Sequence, residues 1–147
     1  MQFNLFTDYS FRVLIHAGLK RGRLSTISEV TEAYAISRHH VVKVVHELAQ
    51  LGYLKTYRGR AGGFELRQSA DEISVGALVR QLERQDLVDC FRPGAGHCCL
   101  EGICRLQNAL ANAQEAFHAV LDRYTLADLI RPPRALQRRL GIDVSVC

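Results

Sequence analysis

The sequence lacks the features that would place it in a membrane or mark it as an enzyme. No apolar run approaches the roughly 20 residues that a membrane-spanning helix needs. The N-terminal segment carries an acid at Asp8 and no cationic start, so we expect no secretory signal. No internal repeat, phosphate-binding glycine motif, carboxylate pair or Ser/His/acid arrangement stands out. We therefore expect a cytoplasmic, non-enzymatic protein that folds as one domain, or as a small domain with a dimerisation element.

The charge is unevenly distributed, although the formal net charge of the chain is only +4. Residues 1–67 hold ten Lys/Arg against five Asp/Glu, residues 68–130 hold five against nine, and the last segment holds four against one. A basic first half is typical of a protein that faces a polyanion, although a mixed surface alone would not establish nucleic-acid binding.

Cysteine is scarce outside one stretch, because four of the five cysteines lie between Cys90 and Cys104. Their pattern is C-x7-C-C-x4-C, and three glycines and a proline are interleaved with them. Such a composition is typical of a loop that bends around a ligand and not of a core helix or strand. In the reducing cytosol, clustered cysteines more often bind metal or carry out redox chemistry than form structural disulfides.

Three interpretations of this loop compete. Zinc and a disulfide both remain open, but adjacent Cys98 and Cys99 do not easily bind one tetrahedral ion together. An iron–sulfur cluster tolerates wider spacing because its iron atoms present separate vertices, so the pattern favours a cluster. The spacing alone leaves open how many irons it holds and which of the two adjacent cysteines is a ligand. The zinc alternative would use Cys90, Cys98 or Cys99, Cys104 and His97.

Two periodic segments joined by a brief turn predict a helix-turn-helix. The first helix is expected over 29–34 with Ser28 as its N-cap, and the second over 38–51 with Ser37 as its N-cap. An earlier helix over 8–20, capped by Thr7, supplies a further apolar face. The expected DNA contacts of this unit are Ser28, Ser37, Arg38, His39, His40 and Lys43, which combine cations with side chains able to reach base edges.

A hairpin follows, with strands expected over 53–58 and 64–67. Its tip carries Arg58 and Arg60, and arginines at such a tip can enter a minor groove. Gly62 and Gly63 permit close approach of the backbone, and we place them with the DNA contacts. A hairpin directly after a helix-turn-helix is a wing. A helix capped by Ser74 is expected next, over 74–84.

The longest periodic stretch runs from Leu106 to Tyr124, with apolar residues alternately three and four apart. A helix of this length exceeds what the core of so small a domain needs, which favours dimerisation over packing within the chain. The fold class is therefore mainly α, with a β-hairpin wing and a long C-terminal dimerisation helix. We divide the chain into a DNA-binding unit (1–84), a cluster loop (85–104), the dimerisation helix with its following turn (105–130) and a basic tail (131–147).

Short motifs along the chain match one known family in order. They are TDY at 7–9, ISEV at 27–30, SRHHVVK at 37–43, RGRAGGFEL at 58–66, HC at 97–98, CRL at 104–106 and YTLADL at 124–129. With these motifs, residues 1–130 resemble the winged-helix iron–sulfur regulators, which include the nitric-oxide-sensing repressors NsrR and also IscR.

The resemblance implies three thiolate ligands, Cys90, Cys98 and Cys104, with Cys99 as an additional cysteine. It also implies a fourth ligand that is not a thiolate, for which Asp8 of the partner subunit is the candidate, and we expect a 4Fe–4S cluster in preference to a 2Fe–2S one. Without that bond, Asp8 could pair with Arg12 one turn along its own helix.

The function implied is that of a homodimeric repressor. It would bind a palindromic operator in double-stranded DNA while its cluster is intact, and release it when nitric oxide nitrosylates the cluster. A related regulator that reads iron–sulfur status or another oxidant is one alternative. A DNA-binding protein stabilised by zinc is another.

Overall fold

The computed structural model describes residues 2–83, 88, 98–100 and 102–142 of the chain. Within them the fold is mainly helical with one two-stranded antiparallel sheet, as the sequence predicts. The elements in chain order are α1 (Leu5–Lys20), α2 (Ile27–Tyr34), α3 (Arg38–Gln50), β1 (Leu54–Tyr57), β2 (Gly63–Leu66), α4 (Val75–Leu82), α5 (Arg105–Leu121), α6 (Leu126–Leu129) and α7 (Pro133–Arg139).

The helix-turn-helix is confirmed, but two of the predicted caps are wrong. Ser37 caps α3 as expected. The cap of α2 is Thr26 and not Ser28, because Thr26 and Glu29 form a reciprocal capping box. The cap of α1 is Asn4 and not Thr7: the Asn4 Oδ1 atom accepts a 2.8 Å hydrogen bond from the Thr7 backbone N–H. α1 therefore begins three residues earlier than predicted.

The wing is a short hairpin, and an isolated β-bridge adds Ser25 to its second strand. Thr56 faces Phe64 in the β1–β2 register, and Ser25 exchanges two backbone hydrogen bonds of 2.8 Å with the same Phe64. A side chain at Gly62 would collide with the backbone carbonyl of Tyr57, and one at Gly63 would collide with that of Ser25. Both glycines are therefore required for the chain to turn so close to itself.

The core is built around α1, which contacts α2, α3, β2, α4, α6 and α7. Its apolar positions recur at helical spacing and meet the inward side of α3 and the strands. The largest fully buried side chains include Leu14, Leu19, Leu48, Leu54, Phe64, Ile73, Leu78 and Leu126.

A tight junction connects α4 with the end of α5. The Val75 N–H donates to the Tyr124 carbonyl at 3.0 Å. Asp122 packs against Gly76, where any side chain would collide with its carboxylate. The same carboxylate accepts two hydrogen bonds of 2.6 Å from the Arg80 guanidinium. The C-terminal end of α5 is thereby fixed to α4.

α5 itself is an amphipathic helix with little to pack against. None of its seventeen residues, all of which the structure describes, is buried. Leu106 is 64% exposed and Val120 is 49% exposed, and Ile103 just before the helix is 77% exposed. The predicted apolar stripe is thus present, and the described part of this chain leaves it largely uncovered.

The basic tail contains a helix that the sequence analysis did not predict. α7 begins at Pro133, a residue that fits the first turn of a helix because its missing N–H would be unpaired there anyway. The buried Gln137 side chain donates a 2.9 Å hydrogen bond to the Leu19 carbonyl at the end of α1. Ile142 is buried beyond it. Among the described residues, no helix has the length and apolarity needed to cross a membrane.

Candidate nucleic-acid interface and metal centre

The outward side of α3 presents the predicted DNA contacts together. Arg38, His39, His40 and Lys43 are exposed, while Val41, Val44, Val45 and Leu48 on the opposite side are buried. Two further exposed residues on the same outward side, Val42 and His46, were not predicted as contacts. Their spacing of one turn from His39 and Lys43 was the available signal.

The first turns of α2 and α3 are joined through their side chains. The Arg38 guanidinium donates a 3.2 Å hydrogen bond to the Ser28 hydroxyl, so Ser28 contributes to this surface although it does not cap α2. The Ser37 hydroxyl accepts from the His40 N–H at 3.4 Å and lies 2.9 Å from the His40 Nδ1 atom. The cap of α3, the second helix of the helix-turn-helix and hence its candidate recognition helix, therefore also orients one of its exposed imidazoles.

α1 supports this surface from behind. The Tyr9 ring centroid lies 5.7 Å from that of His40, and the His39 ring centroid lies 6.0 Å from that of His40. Tyr9 is another residue that sequence reasoning missed as part of the site. Its contact makes the position of α1 directly relevant to the geometry of the recognition helix.

The wing carries its cations outward. Arg58 and Arg60 at the tip are exposed, as predicted. On the strands, the Lys55 ammonium lies 5.0 Å from the Tyr57 ring centroid, and the Tyr57 hydroxyl donates a 2.6 Å hydrogen bond to Glu65. Hydrogen bonding with Tyr57 raises the pKa of Lys55.

A buried histidine links α1 to the wing. His16 is 1% exposed, and its Nδ1 atom lies 2.9 Å from the hydroxyl of Ser25, the residue that pairs with β2. Burial lowers the pKa of His16 to about 4, although nearby Glu29 acts in the opposite direction. Glu29 is itself paired with Lys20 at 2.6 Å. His16 is therefore neutral at physiological pH and holds the wing against α1 through a neutral contact.

Three of the predicted loop cysteines lie among the described residues. Cys98 and Cys99 are exposed, and Cys104 is half-buried at the start of α5. The Cys104 Sγ atom accepts a 3.4 Å hydrogen bond from the Gln107 N–H and so caps α5. The Cys104 sulfur therefore lies at the N-terminus of α5, beside a backbone N–H group of its first turn. Cys90 and His97 lie outside the described residues.

The donor chemistry of this segment suits a thiophilic metal group. Thiolates are the preferred ligands of iron–sulfur clusters. Four residues separate the exposed pair Cys98 and Cys99 from Cys104, so three sulfur-bearing side chains lie close together in sequence. Within the described part of the chain, no three potential ligands are gathered around a single point. The residues present therefore fit a cluster by their chemistry, while the complete ligand set stays a prediction.

Asp8 lies on α1 and forms the intrahelical pair that its spacing predicts. Its carboxylate is 2.9 Å from the Arg12 guanidinium, and both side chains are partly exposed. Arg12 also lies 5.7 Å from the Tyr34 ring centroid, so the same guanidinium connects α1 with the end of α2. Asp8 is therefore held within its own chain by a contact that solvent can reach.

The N-terminal residues join α1 to the elements on either side of the predicted cluster loop. The Glu83 carboxylate, at the end of α4, accepts hydrogen bonds of 2.9 Å from the Asn4 backbone N–H and 3.1 Å from the Asn4 side chain. The Phe3 ring lies 6.5 Å from Phe11 on α1 and 6.1 Å from Phe117 on α5. The start of α1 thus contacts Glu83, which lies before the cysteine segment in the sequence, and α5, which follows that segment.

Comparisons with known proteins agree with this architecture. A curated relative from Oceanobacillus iheyensis, the HTH-type transcriptional regulator NsrR, is 43% identical over 145 residues, covering 97% of this chain and 99% of that protein. A solved structure of CymR (YrzC), described as the global cysteine regulator of B. subtilis, is 25% identical with a TM-score of 0.70, covering 88% of this chain and 95% of CymR.

The fold extends to a more distant solved structure. IscR from T. potens matches with a TM-score of 0.70 at 20% identity, covering 89% of this chain and 87% of that one. Residues 3–132 match the Rrf2 family, described as an iron-dependent transcriptional regulator. The family consists of regulators and not of enzymes, and the resemblance to the NsrR group predicted from the motifs is confirmed. This chain therefore belongs to the Rrf2 family of transcriptional regulators.

Proposed function

We propose that the protein is a cytoplasmic, homodimeric repressor whose affinity for a palindromic operator depends on a 4Fe–4S cluster and falls in the presence of nitric oxide. The observation that carries this proposal is the junction around α1. α1 contacts the recognition helix through Tyr9, carries Asp8, and is joined through Asn4 to Glu83, the last described residue before the predicted cluster loop. One helix therefore contacts the recognition helix and is joined to residues that flank the predicted cluster loop on both sides.

The uncovered stripe of α5 supports dimerisation. Leu106 and Val120 are exposed on α5, and exposed Tyr124 lies three residues beyond its end. A second copy of the same stripe would remove these side chains from water. Two copies would present two recognition helices, which suits the two half-sites of a palindrome. A wing from each copy would then place Arg58 and Arg60 near a minor groove.

The ligands in this proposal are Cys90, Cys98 and Cys104, with Asp8 of the partner subunit in the fourth position. A bound cluster would supply iron that nitric oxide can attack. A carboxylate is a hard donor among soft thiolates and is therefore the ligand most easily released. The Asp8 side chain then has a partner ready in Arg12, so it can exchange one charged partner for another without leaving its charge uncompensated.

The movement of Asp8 gives α1 two alternative positions. In the first position, Asp8 binds the cluster of the partner subunit, and α1 is drawn toward the partner's cluster loop. In the second position, Asp8 pairs with Arg12 of its own chain. Because Tyr9 lies one residue from Asp8 and packs on His40, a shift of α1 changes the support of the recognition helix. A coupling of about 2.7 kcal/mol between the two sites is sufficient for a hundredfold change in DNA affinity.

The test of this proposal is the metal content of protein purified without oxygen, together with the behaviour of single cysteine variants. We expect iron and acid-labile sulfide in stoichiometric amounts and a coloured absorption band. Cys104→Ala should lose both the iron–sulfur content and the absorption band. Cys99→Ala removes an exposed thiol that is not a proposed ligand, so it is the matched control and should retain both. A colourless protein that carries zinc would overturn the sensing function. If Cys99→Ala loses iron and Cys98→Ala retains it, the two ligand assignments are exchanged.

A further inference from the structure

The exposed large apolar side chains are concentrated on one part of the molecule. Of the nine found among the described residues, seven lie at the start of α1 or in segment 100–124, next to the proposed dimer contact. The other two are Val42 on the recognition helix and Tyr57 on the wing. Dimerisation through α5 does not account for these two, and each needs its own explanation.

Tyr57 is accounted for by its neighbours. The Lys55 ammonium lies over its ring at 5.0 Å, and its hydroxyl donates to Glu65 at 2.6 Å. Both partners lie on the same side of the hairpin, since Lys55 faces Glu65 directly in the strand register. Tyr57 is therefore an amphipathic side chain with its ring beneath a cation and its hydroxyl in a hydrogen bond.

Val42 has a different setting. It is 46% exposed in the middle of α3, with its buried neighbours Val41 and Val44 facing the core. One helical turn places it between His39 and His46, which are both exposed. The middle of this outward face is thus apolar, while its surroundings can donate and accept hydrogen bonds or carry positive charge.

In the major groove, the edges of the bases are polar except for the 5-methyl group of thymine. We propose, on the basis of the operator binding proposed above, that Val42 is a specificity-determining residue that contacts a thymine methyl group in each half-site. Lys43 beside it is placed for phosphate, and His39 and His46 for the base edges on either side. Each half-site therefore contains one T·A pair that the protein recognises by an apolar contact.

The experiment uses a duplex that the wild-type, cluster-containing protein selects from a random DNA library. Each thymine of that duplex is replaced singly by deoxyuridine, a change that removes only the methyl group. We expect one position per half-site at which the replacement weakens wild-type binding about fourfold, the effect of uncovering one buried carbon. At that position, Val42→Ala should bind the thymine and deoxyuridine duplexes equally.

Two further variants make the result specific. Lys43→Ala, the matched control on the adjacent exposed position, should weaken binding to all duplexes but keep the deoxyuridine sensitivity. Val42→Thr retains the side-chain shape with one methyl group and should show a reduced sensitivity at the same position. A wild-type protein that selects a sequence but responds to no deoxyuridine replacement overturns this inference alone. The same holds if Val42→Ala keeps the full sensitivity, whereas a wild-type protein that selects no sequence overturns the proposed function as well.

Discussion

α3 and α5 are both amphipathic helices, and they differ in what covers their apolar sides. The inward side of α3 is fully enclosed by α1, α2 and β1, with Val41 and Leu48 at 0% exposure. On the apolar side of α5, which the structure describes over its full length, no residue is buried. The same periodicity in sequence therefore has two structural meanings: one stripe completes the core of the chain, and the other is available to a partner.

The difference separates what stabilises the fold from what organises the function. Removing apolar contacts from α3 should unfold the DNA-binding unit, whereas changing α5 should leave each chain folded and alter how two chains combine. The polar contacts follow the same division. His16 and Ser25 act within the DNA-binding unit, and Arg80 and Asp122 attach α5 to it.

The largest effect is expected from the core side of α3. Leu48→Ala removes a side chain at 0% exposure and should lower the free energy of unfolding by about 2–5 kcal/mol, since it leaves a cavity. Urea unfolding followed by circular dichroism measures the change. Gln50→Ala, an exposed position on the same helix, is the control and should change it by less than about 0.5 kcal/mol. Equal losses for both variants would contradict the assignment of the two sides.

Acid should lower the folding stability of the DNA-binding unit through protonation of His16. The pKa of this buried imidazole is lowered to about 4, so between pH 6.5 and pH 4 the unfolded chain binds a proton that the folded chain does not. The contribution of neutral His16 to the free energy of unfolding is therefore fully present above pH 6.5. It should fall by up to about 3 kcal/mol as the pH approaches 4. Unfolding curves at pH 7 and pH 4.5 test this for the wild type and for His16→Gln. The variant should lose most of the pH dependence in this range, and an unchanged slope would exclude His16 as its source.

A charge in the α5 stripe should separate the two chains without unfolding them. Leu106→Asp is expected to give a monomer by light scattering and to lower operator affinity at least about a hundredfold, equivalent to about 2.7 kcal/mol. Its helical signal should remain, because Leu106 is 64% exposed in the single chain. Asn112→Asp adds the same charge at an exposed position off the stripe and should remain dimeric. A dimeric Leu106→Asp variant would locate the dimer contact elsewhere.

The smallest effect is expected at the wing. Arg60→Ala should weaken operator binding several-fold and reduce the slope of log K against log salt by about two, because each of the two subunits loses one phosphate contact. Arg67→Ala, an exposed arginine just after β2, is the matched control and should leave the slope unchanged. Fluorescence anisotropy titrations at several salt concentrations measure both. Equal slopes for Arg60→Ala and the wild type would remove the wing from the DNA contact.

Local sequence signals predicted most of the fold because the deciding contacts are local. Ser37 and Ser74 cap the helices that directly follow them, and both caps are confirmed. Thr7 was the wrong cap for α1, since Asn4 is also fixed by Glu83, a residue 79 positions away. The helix in the tail was missed for a similar reason: it is held by Gln137 against the far end of α1, a contact with no local signature.

The candidate site was predictable in its chemistry and less so in its connections. Exposed cations on α3 and the wing follow from helical and strand periodicity, and the Asp8–Arg12 pair follows from its spacing. The packing of Tyr9 on His40 joins two helices far apart in sequence and could not be inferred from either alone. The ligand set of the cysteine loop stays a prediction, because the ligands proposed for it come from distant segments of the sequence and from a second copy of the chain.

The most direct test of the central claim is operator affinity measured on one anaerobic sample of the iron-containing dimer before and after addition of nitric oxide. The account predicts a loss of affinity of about a hundredfold or more, with the protein still dimeric and folded. Affinity that is unchanged by nitric oxide, in a sample whose iron has reacted, would contradict it.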